Sequence, residues 1–248
     1  MVRNIILFCC LISGCAPVYI PNARNIALFD TPGEFQASAG LGTSYDVQVA
    51  YAATKNIGLM TNYAYVSRPG NFDVDTDNKY KNRSSFGEFG IGYIRPTVIE
   101  TGLRNTFTFE LWTGAGVGRS SGYYARNLFP VDTLTTSARF QRYFLQPTVA
   151  IRNKNWDWIF TGRFTVVNYS KANIESTYYN SISFAKTNGY FEPTAAYRIY
   201  FSQRRIMLTS QAGFNFSFIQ SNSGDYLHLY PWSCSVSLGF KLQPNKME

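Results

Sequence analysis

The sequence has few charged residues, a single histidine and no long hydrophobic run. Charged residues make up only 15% of the 248 positions, whereas aromatic residues make up 17%. A chain this poor in charge and rich in aromatic residues is neither intrinsically disordered nor a coiled coil. No apolar run reaches the roughly 18 residues that a membrane-spanning helix requires. These absences exclude a helical membrane protein and leave a chain that must fold.

The abundant residues are those that favour β-strands. There are 20 Phe and 18 Tyr, and the rest of the chain is rich in Gly, Ser, Thr and Asn. Aromatic and β-branched residues fit a pleated surface, and Gly and Asn fit the turns between strands. The composition therefore predicts an all-β fold.

The N-terminus has the order of a processing signal. Arg3 precedes an apolar stretch at residues 5–12, which is followed by Ser13, Gly14 and Cys15. This order resembles the bacterial lipoprotein signal peptide. The resemblance implies cleavage between Gly14 and Cys15, a diacylglyceryl group on the Cys15 thiol, and an acyl chain such as palmitate on the new amino terminus. An ordinary signal peptide with a chance cysteine is the alternative.

Three regions follow from this interpretation. Residues 1–14 form the signal peptide, residues 15–32 are predicted to be an extended periplasmic tether because they contain prolines and no clear period, and residues 33–248 form a single domain. Removal of the signal leaves Cys15 and Cys234, so lipidation of Cys15 would exclude an intrachain disulfide.

Beyond the tether, apolar and polar residues alternate with a period of two. In the final stretch Val236, Leu238 and Phe240 share one face, while Ser235 and Ser237 share the other. Ten such stretches are predicted as strands: Glu34–Leu41, Tyr45–Ala53, Ile57–Val66, Ser84–Arg95, Asn105–Gly118, Ala138–Arg152, Trp156–Tyr169, Gly189–Phe201, Arg205–Ile219 and Trp232–Leu242.

The connections between these strands alternate in length. The links at residues 54–56, 153–155 and 202–204 are short, whereas those at 67–83, 119–137, 170–188 and 220–231 are long and polar. A soluble β-sandwich or lipocalin-like binder gives the same alternation within strands but has no reason to sort its connections. Short turns at one end and long loops at the other are typical of outer-membrane barrels.

The strand pattern from Glu34 to Leu242 therefore resembles that of a small bacterial outer-membrane β-barrel. The segment from Ser237 to Leu242 also resembles the terminal strand that barrel assembly machinery recognises. The resemblance implies a closed antiparallel up-and-down transmembrane barrel of about ten strands, with short periplasmic turns and long outer loops. It also implies lipoprotein-processing machinery as a partner and a location in the outer membrane, with the N-terminus anchored on the periplasmic side.

Alternation places many polar side chains on the lumen face. A ten-stranded lumen is narrow enough for side chains to fill, and buried charges must pair. We therefore predict a plugged interior with a Glu–Arg network. The predicted lumen residues are Glu34, Gln36, Gln48, Glu88, Glu110, Arg142, Gln146, Arg163, Glu192, Arg198, Gln211, Asn215 and Lys241.

Other candidate sites have weaker patterns. Asp73, Asp75 and Asp77 have the spacing of a calcium loop but lack its glycine and final glutamate, so no metal or other cofactor is predicted. His228 lies near Asp225 without the spacing of a known hydrolase, and no enzymatic activity is predicted. Interfacial anchors are predicted at three tryptophans near strand ends: Trp156, Trp158 and Trp232.

The charge of the chain indicates what it contacts. The net charge is +8, with basic residues at both predicted rims and no nucleic-acid motif. Outer-membrane lipid and the phosphates of lipopolysaccharide are therefore the expected partners. The main hypothesis is a lipid-anchored barrel with a structural or surface-binding role. The alternatives are a small-solute channel, a lipid-modifying barrel enzyme and a tethered soluble binder.

Overall fold

The structure is a computed structural model that describes residues 20–71, 79–101, 105–126, 132–176, 182–219 and 232–244. The alternating stretches form eleven strand segments: β1 (Phe35–Gly42), β2 (Tyr45–Ala52), β3 (Ile57–Asn71), β4 (Lys79–Thr101), β5 (Asn105–Arg126), β6 (Asp132–Arg152), β7 (Trp156–Ser176), β8 (Ile182–Phe201), β9 (Ile206–Phe214), β10 (Phe216–Ile219) and β11 (Trp232–Leu242). No helix in these residues is long and apolar enough to cross a membrane.

The strands close into an antiparallel barrel. From β1 to β9 each segment pairs with the next one in sequence, and β11 pairs with β9 on one side and with β1 on the other, where Phe35 lies opposite Leu242. Asn215 interrupts one long strand, and the two parts, β9 and β10, both pair with β8. The barrel therefore has ten strands, which confirms the predicted fold.

The barrel is apolar outside and polar inside. Leu238, Val47 and Phe160 on the outer face are each more than half exposed, while Glu88, Arg142 and other polar side chains face inward and are buried. A soluble sandwich or lipocalin-like fold would show the opposite arrangement, because it buries its apolar faces. The fold therefore favours the main hypothesis of a membrane barrel over the alternative of a soluble tethered binder.

The two ends of the barrel differ. One end, called here the turn end, carries the connections at residues 53–56, 153–155 and 202–205 together with the start of β1 and the end of β11. At the opposite end, the far end, β1 and β2 are joined by residues 43 and 44. The wall is low there, because β1 and β2 have 8 residues each whereas β4 has 23.

The tall part of the wall includes segments that were predicted as loops. β3 continues to Asn71, β4 begins at Lys79, and β5 to β8 extend through most of residues 119–137 and 170–188. Hydrogen bonding between neighbouring strands continues there although the apolar alternation fades, because paired backbone groups need no apolar face. The loops at the far end are therefore shorter than predicted, apart from residues 220–231, which lie outside the described residues.

The N-terminal segment lies inside the barrel. Residues 20–29 are all buried, and the chain leaves the lumen at the turn end to begin β1. The prediction of a periplasmic tether at residues 15–32 is therefore wrong for this part of it. We call residues 20–29 the plug.

Candidate functional site: the plugged lumen

The plug runs along β6 from the middle of the lumen to the turn end. Arg142 donates to the Asn22 side chain (3.2 Å), the Gln146 amide donates to the Asn25 carbonyl (2.9 Å), and Arg152 donates to the Phe29 carbonyl (3.1 Å). Eight residues of plug thus match eleven residues of strand. The plug is nearly extended and descends parallel to β6.

Polar side chains of the wall satisfy the backbone of the plug. Such an irregular segment has no sheet partners, so each buried carbonyl and amide needs another partner. The wall supplies these partners from several strands: Gln48 to the Ala23 carbonyl (3.1 Å), Gln211 to the Arg24 amide (2.9 Å) and carbonyl (3.3 Å), Arg198 to the Ile26 (2.6 Å) and Ala27 (3.4 Å) carbonyls, and Lys241 to the Leu28 carbonyl (3.2 Å). The lumen is therefore built to hold this segment.

The central charge cluster is formed by Glu88 and two arginines. Arg142 pairs with Glu88 Oε2, Arg163 lies 3.0 Å from Glu88 Oε1, and all three side chains are fully buried. Asn62 also donates to Glu88, and the Arg163 guanidinium lies 4.3 Å from the centre of the Phe144 ring. One carboxylate thus balances two neighbouring cations within the lumen.

A second charge pair joins the plug to the wall. Arg24 lies 3.0 Å from Glu192 Oε2, and both side chains are buried. Thr165 donates to the same carboxylate oxygen, and Arg24 also donates to Asn215 at 3.4 Å. The plug therefore supplies a buried counterion that a wall carboxylate requires.

A third cluster closes the turn end. Asp30 lies 2.5 Å from Arg152, 3.1 Å from Lys241 and 3.5 Å from Arg204. Burial alone would raise the pKa of the Asp30 carboxyl, but Lys241, Arg152 and Arg204 outweigh burial and hold that pKa well below its usual range. Lys241 also pairs with Glu34 (3.1 Å). The charges fasten the plug where it joins β1.

The backbone of the plug is strained just before this cluster. Leu28 has a φ of 48°, a left-handed conformation that is unfavourable for a side chain with a Cβ. The Lys241 ammonium donates to the Leu28 carbonyl. The Leu28 side chain is fully buried in a cluster with Ile26 and Ile159. The strain lets the plug turn towards the barrel wall.

Trp112 is positioned by two glycines. Its ring is fully buried, and a Cβ at Gly92 or Gly58 would come within 2.6 Å of it or closer. The indole Nε1 donates to Glu110 (2.9 Å), and the ring packs near Phe29 of the plug. The lumen glycines therefore make room for a large side chain that supports the plug.

The structure brings most predicted lumen residues into these clusters. Glu88, Arg142 and Arg163 lie together, Glu192, Gln211 and Asn215 surround Arg24, and Gln48, Arg198 and Lys241 hold the plug backbone. Glu110 accepts a hydrogen bond from Trp112. Among the described residues it forms no ion pair with an arginine. Of the predicted anchors, Trp158 is 46% exposed, whereas Trp156 and Trp232 are half-buried near strand ends.

Several predicted residues lie outside the described part of the chain: Gly14, Cys15, Asp73, Asp75, Asp77 and His228. Within the described residues there is no group of three or more side chains that could hold a metal ion. Sequence reasoning missed Arg24 in the plug and Asp30 directly after it. The signal was present in the apolar run Ile26 to Phe29, which is unusual for a solvated tether.

Comparisons with known proteins give fold likenesses only. No protein-family model matches the chain, and no curated protein matches it in sequence. Among solved structures, it is similar to the translocator domain of autotransporter NalP from Neisseria meningitidis, with a TM-score of 0.47, 11% identity, and 85% of this chain and 86% of that chain covered.

Two further structures show weaker similarity. A major outer membrane protein from Thermus thermophilus has a TM-score of 0.40 and 12% identity, with 84% and 99% of the two chains covered. The N-terminal barrel domain of Pseudomonas aeruginosa OprF has a TM-score of 0.36 and 9% identity, with 86% and 100% covered. The class of the protein follows from its own geometry: a closed ten-stranded transmembrane β-barrel with a plugged polar lumen.

Proposed function

We propose that the protein is an outer-membrane barrel sealed by its own N-terminal segment, with a structural or surface-binding role instead of a diffusion channel. The observation that carries this proposal is the plug: residues 20–29 are buried along the lumen and bonded to side chains from several strands. A channel needs a continuous water path, and this segment occupies the space where it would run.

The outer surface supports a membrane location. Large apolar side chains cover the barrel between the two ends, among them Phe89, Ile91, Leu145, Phe164 and Leu238. An exposed apolar area of this extent is stable only in lipid, because soluble proteins rarely expose patches above a few hundred Å². A closed barrel satisfies all its strand edges, as a bilayer requires.

Planar-bilayer recording tests the seal. We expect the refolded mature chain to show no steady conductance and a variant lacking residues 20–29 to conduct, because removal of the plug opens the lumen. Lys154→Gln, which changes one exposed turn residue, serves as the control and should remain closed. Steady open currents from the unaltered chain would overturn the proposal and favour the small-solute channel.

We also propose that Cys15 carries the lipid anchor and that this anchor lies at the far end of the barrel. The direction of the plug supports the second part. Asn22 contacts Arg142 in the middle of β6, whereas Asp30 contacts Arg152 at its end, so the plug runs in the direction from the far end to the turn end.

The length of the chain supports the same conclusion. Seven residues from Asn22 to Cys15 span at most about 25 Å. Ten residues of strand between Arg142 and Arg152 cover about 33 Å, or about 25 Å along the barrel axis at the usual tilt. A fully extended chain would only just regain the turn end, through a lumen that the plug already fills.

The low rim of the barrel offers a shorter route. The Ala23 carbonyl accepts from Gln48, and the β1–β2 connection at residues 43 and 44 lies only a few residues above that level. The eight residues from Cys15 to Ala23 reach that rim with length to spare. If the turn end faces the periplasm, the lipid would enter the outer leaflet, in contrast to the periplasmic anchor expected from the sequence.

Impermeant maleimide labelling of intact cells tests the side of the anchor. In a Cys234→Ser background, Val18→Cys should be labelled in intact cells, as should the far-end control Ser121→Cys. The turn-end control Asn155→Cys should be labelled only after the cells are opened. Labelling of Val18→Cys that requires opened cells or an unfolded barrel would overturn the far-side anchor. The mass of the N-terminal fragment tests lipidation separately.

A further inference from the structure

A row of cations lies on the outer face of the barrel wall near the far end. Arg119, Arg139 and Lys171 stand directly opposite one another on β5, β6 and β7, and all three are exposed. Like charges at directly opposite positions of a sheet destabilise it. No ion pair among the described residues includes any of these three side chains. The row therefore lacks an acidic partner within the described part of the wall.

A β-bulge completes the row. Phe140 pairs with Tyr169 while Arg139 pairs with Lys171, so Ser170 is an extra residue in β7. Tyr169 and Ala172 are buried, whereas Ser170 and Lys171 are both exposed. Without the bulge, simple alternation would turn Lys171 inward and set Ser170 opposite Arg139. Bulges commonly re-aim a side chain at a binding site.

The row lies at the edge of the apolar surface that is nearest the far end. Four residues further along β5 and β6 towards the turn end, Ala115 lies opposite Tyr143, and Tyr143 lies opposite Val166 on β7. All three side chains are on the outer face. In a bilayer the row is thus at the level of the lipid headgroups. A groove of about 610 Å³ extends from it towards the far end, and serines on the neighbouring strands line this groove together with Arg83.

A second groove continues from the row into the apolar belt. It has a volume of about 500 Å³ and is lined in part by Tyr63, Gly87, Val117 and Gln141. Gly87 faces outward between Tyr63 and Val117, and a Cβ there would meet only the Asn62 carbonyl oxygen, at 3.7 Å. Because Gly87 has no side chain, this groove on the lipid-facing surface stays open and leads to the row of cations.

We propose that this surface binds a phosphorylated lipid of the outer leaflet. Arg119, Arg139 and Lys171 bind the phosphate, because guanidinium and ammonium groups form strong charge-assisted hydrogen bonds with it. The serines of the groove towards the far end contact the polar head of the lipid. One acyl chain lies in the second groove, at Gly87. The proposal relies on the membrane location proposed above but is independent of the seal.

Native mass spectrometry of the detergent-solubilised mature chain with lipid A as the probe tests this site. The triple variant Arg119→Gln, Arg139→Gln and Lys171→Gln should weaken lipid A binding at least tenfold, and about a hundredfold if the three contributions add. The matched control removes three exposed cations at the turn end, Lys55→Gln, Lys154→Gln and Arg205→Gln, and should leave binding within about twofold.

Gly87→Leu distinguishes a lipid from a free anion. The leucine side chain fills the second groove, at residue 87, without removing any charge. The variant should therefore weaken lipid A binding while leaving all cations in place. Inorganic phosphate at millimolar concentration should compete poorly with lipid A. Gel mobility of unboiled samples verifies that each variant folds.

Three results would overturn the proposal. Equal loss of lipid A binding in the turn-end control would reduce the effect to net charge. Full competition by inorganic phosphate with no effect of Gly87→Leu would make the site a free-anion site. Unchanged binding in the folded triple variant would remove the row from recognition. None of these results bears on conductance, so the seal is judged separately.

Discussion

At the scale of single residues, the decisive feature is the way in which buried carboxylates and arginines pair in the lumen. Glu88 balances both Arg142 and Arg163, and Glu192 depends on Arg24 of the plug. Buried ion pairs add little net stability, but the loss of one partner is costly because a charge remains without compensation. These residues therefore fix how the lumen packs more than they strengthen the barrel.

Glu88→Gln should destabilise the barrel by about 3–5 kcal/mol, because two buried guanidiniums lose their shared carboxylate. The urea dependence of the folded band in unboiled gels, in matched detergent or lipid, measures the loss. Glu175→Gln removes an exposed carboxylate of β7 and should change stability by less than about 0.5 kcal/mol. Adding Arg163→Gln to Glu88→Gln should restore part of the stability, and equal stability of Glu88→Gln and the unaltered chain would contradict the role of the cluster.

At the scale of elements, the plug is attached most firmly at its turn end. Asp30 joins it to Arg152 on β6, to Lys241 on β11 and to Arg204 in the β8–β9 turn. These contacts come from distant parts of the sequence. The plug thereby links the beginning of the barrel to its last strand.

The Asp30 cluster predicts a dependence of stability on pH. Its pKa is lower in the folded protein than the value of about 3.9 in an unfolded chain, so its contribution is present above about pH 4 and is lost as the pH falls towards the folded pKa. Asp30→Asn should reduce stability at pH 7 by on the order of 1–2 kcal/mol. The difference between the two proteins should shrink below pH 4, measured by urea unfolding at pH 7 and pH 3, and a constant difference would contradict the assignment.

The sequence predicted the lumen residues better than the elements around them. Alternation is a local property, so Glu88, Arg142 and Lys241 could be assigned to the inner face from their neighbours alone. The burial of Arg24 could not be predicted in this way, because it depends on contacts with Glu192 and Gln211, which are far away in sequence. The tall ends of β4 to β8 were missed because polar residues there follow no apolar period.

At the scale of the whole molecule, the closed hydrogen-bonded cylinder is the dominant property. β1 pairs with β11 over eight residue pairs, so no strand edge remains open at the seam. Closed barrels resist detergent because every strand is paired on both sides.

Gel mobility with and without boiling tests the closed barrel directly. We expect the unboiled chain from washed outer membranes to migrate faster than the boiled chain, because a compact cylinder is retarded less by the gel than an unfolded chain. A variant with Pro substituted for Val236 in β11 should lose the fast band, since Val236 lies opposite both Leu41 and Ser210 in the seam strands. Identical mobility of the unaltered chain with and without heat would contradict a closed barrel.

The enclosed plug imposes an order on assembly. Residues 20–29 are synthesised before any strand, yet they end up surrounded by β2, β6, β8, β9 and β11. A formed cylinder could admit them only by threading, whereas a sheet that is still open can curl around them. Contacts such as Lys241 with Leu28 then form last, as the final strand meets the first and the cylinder closes around the N-terminal segment.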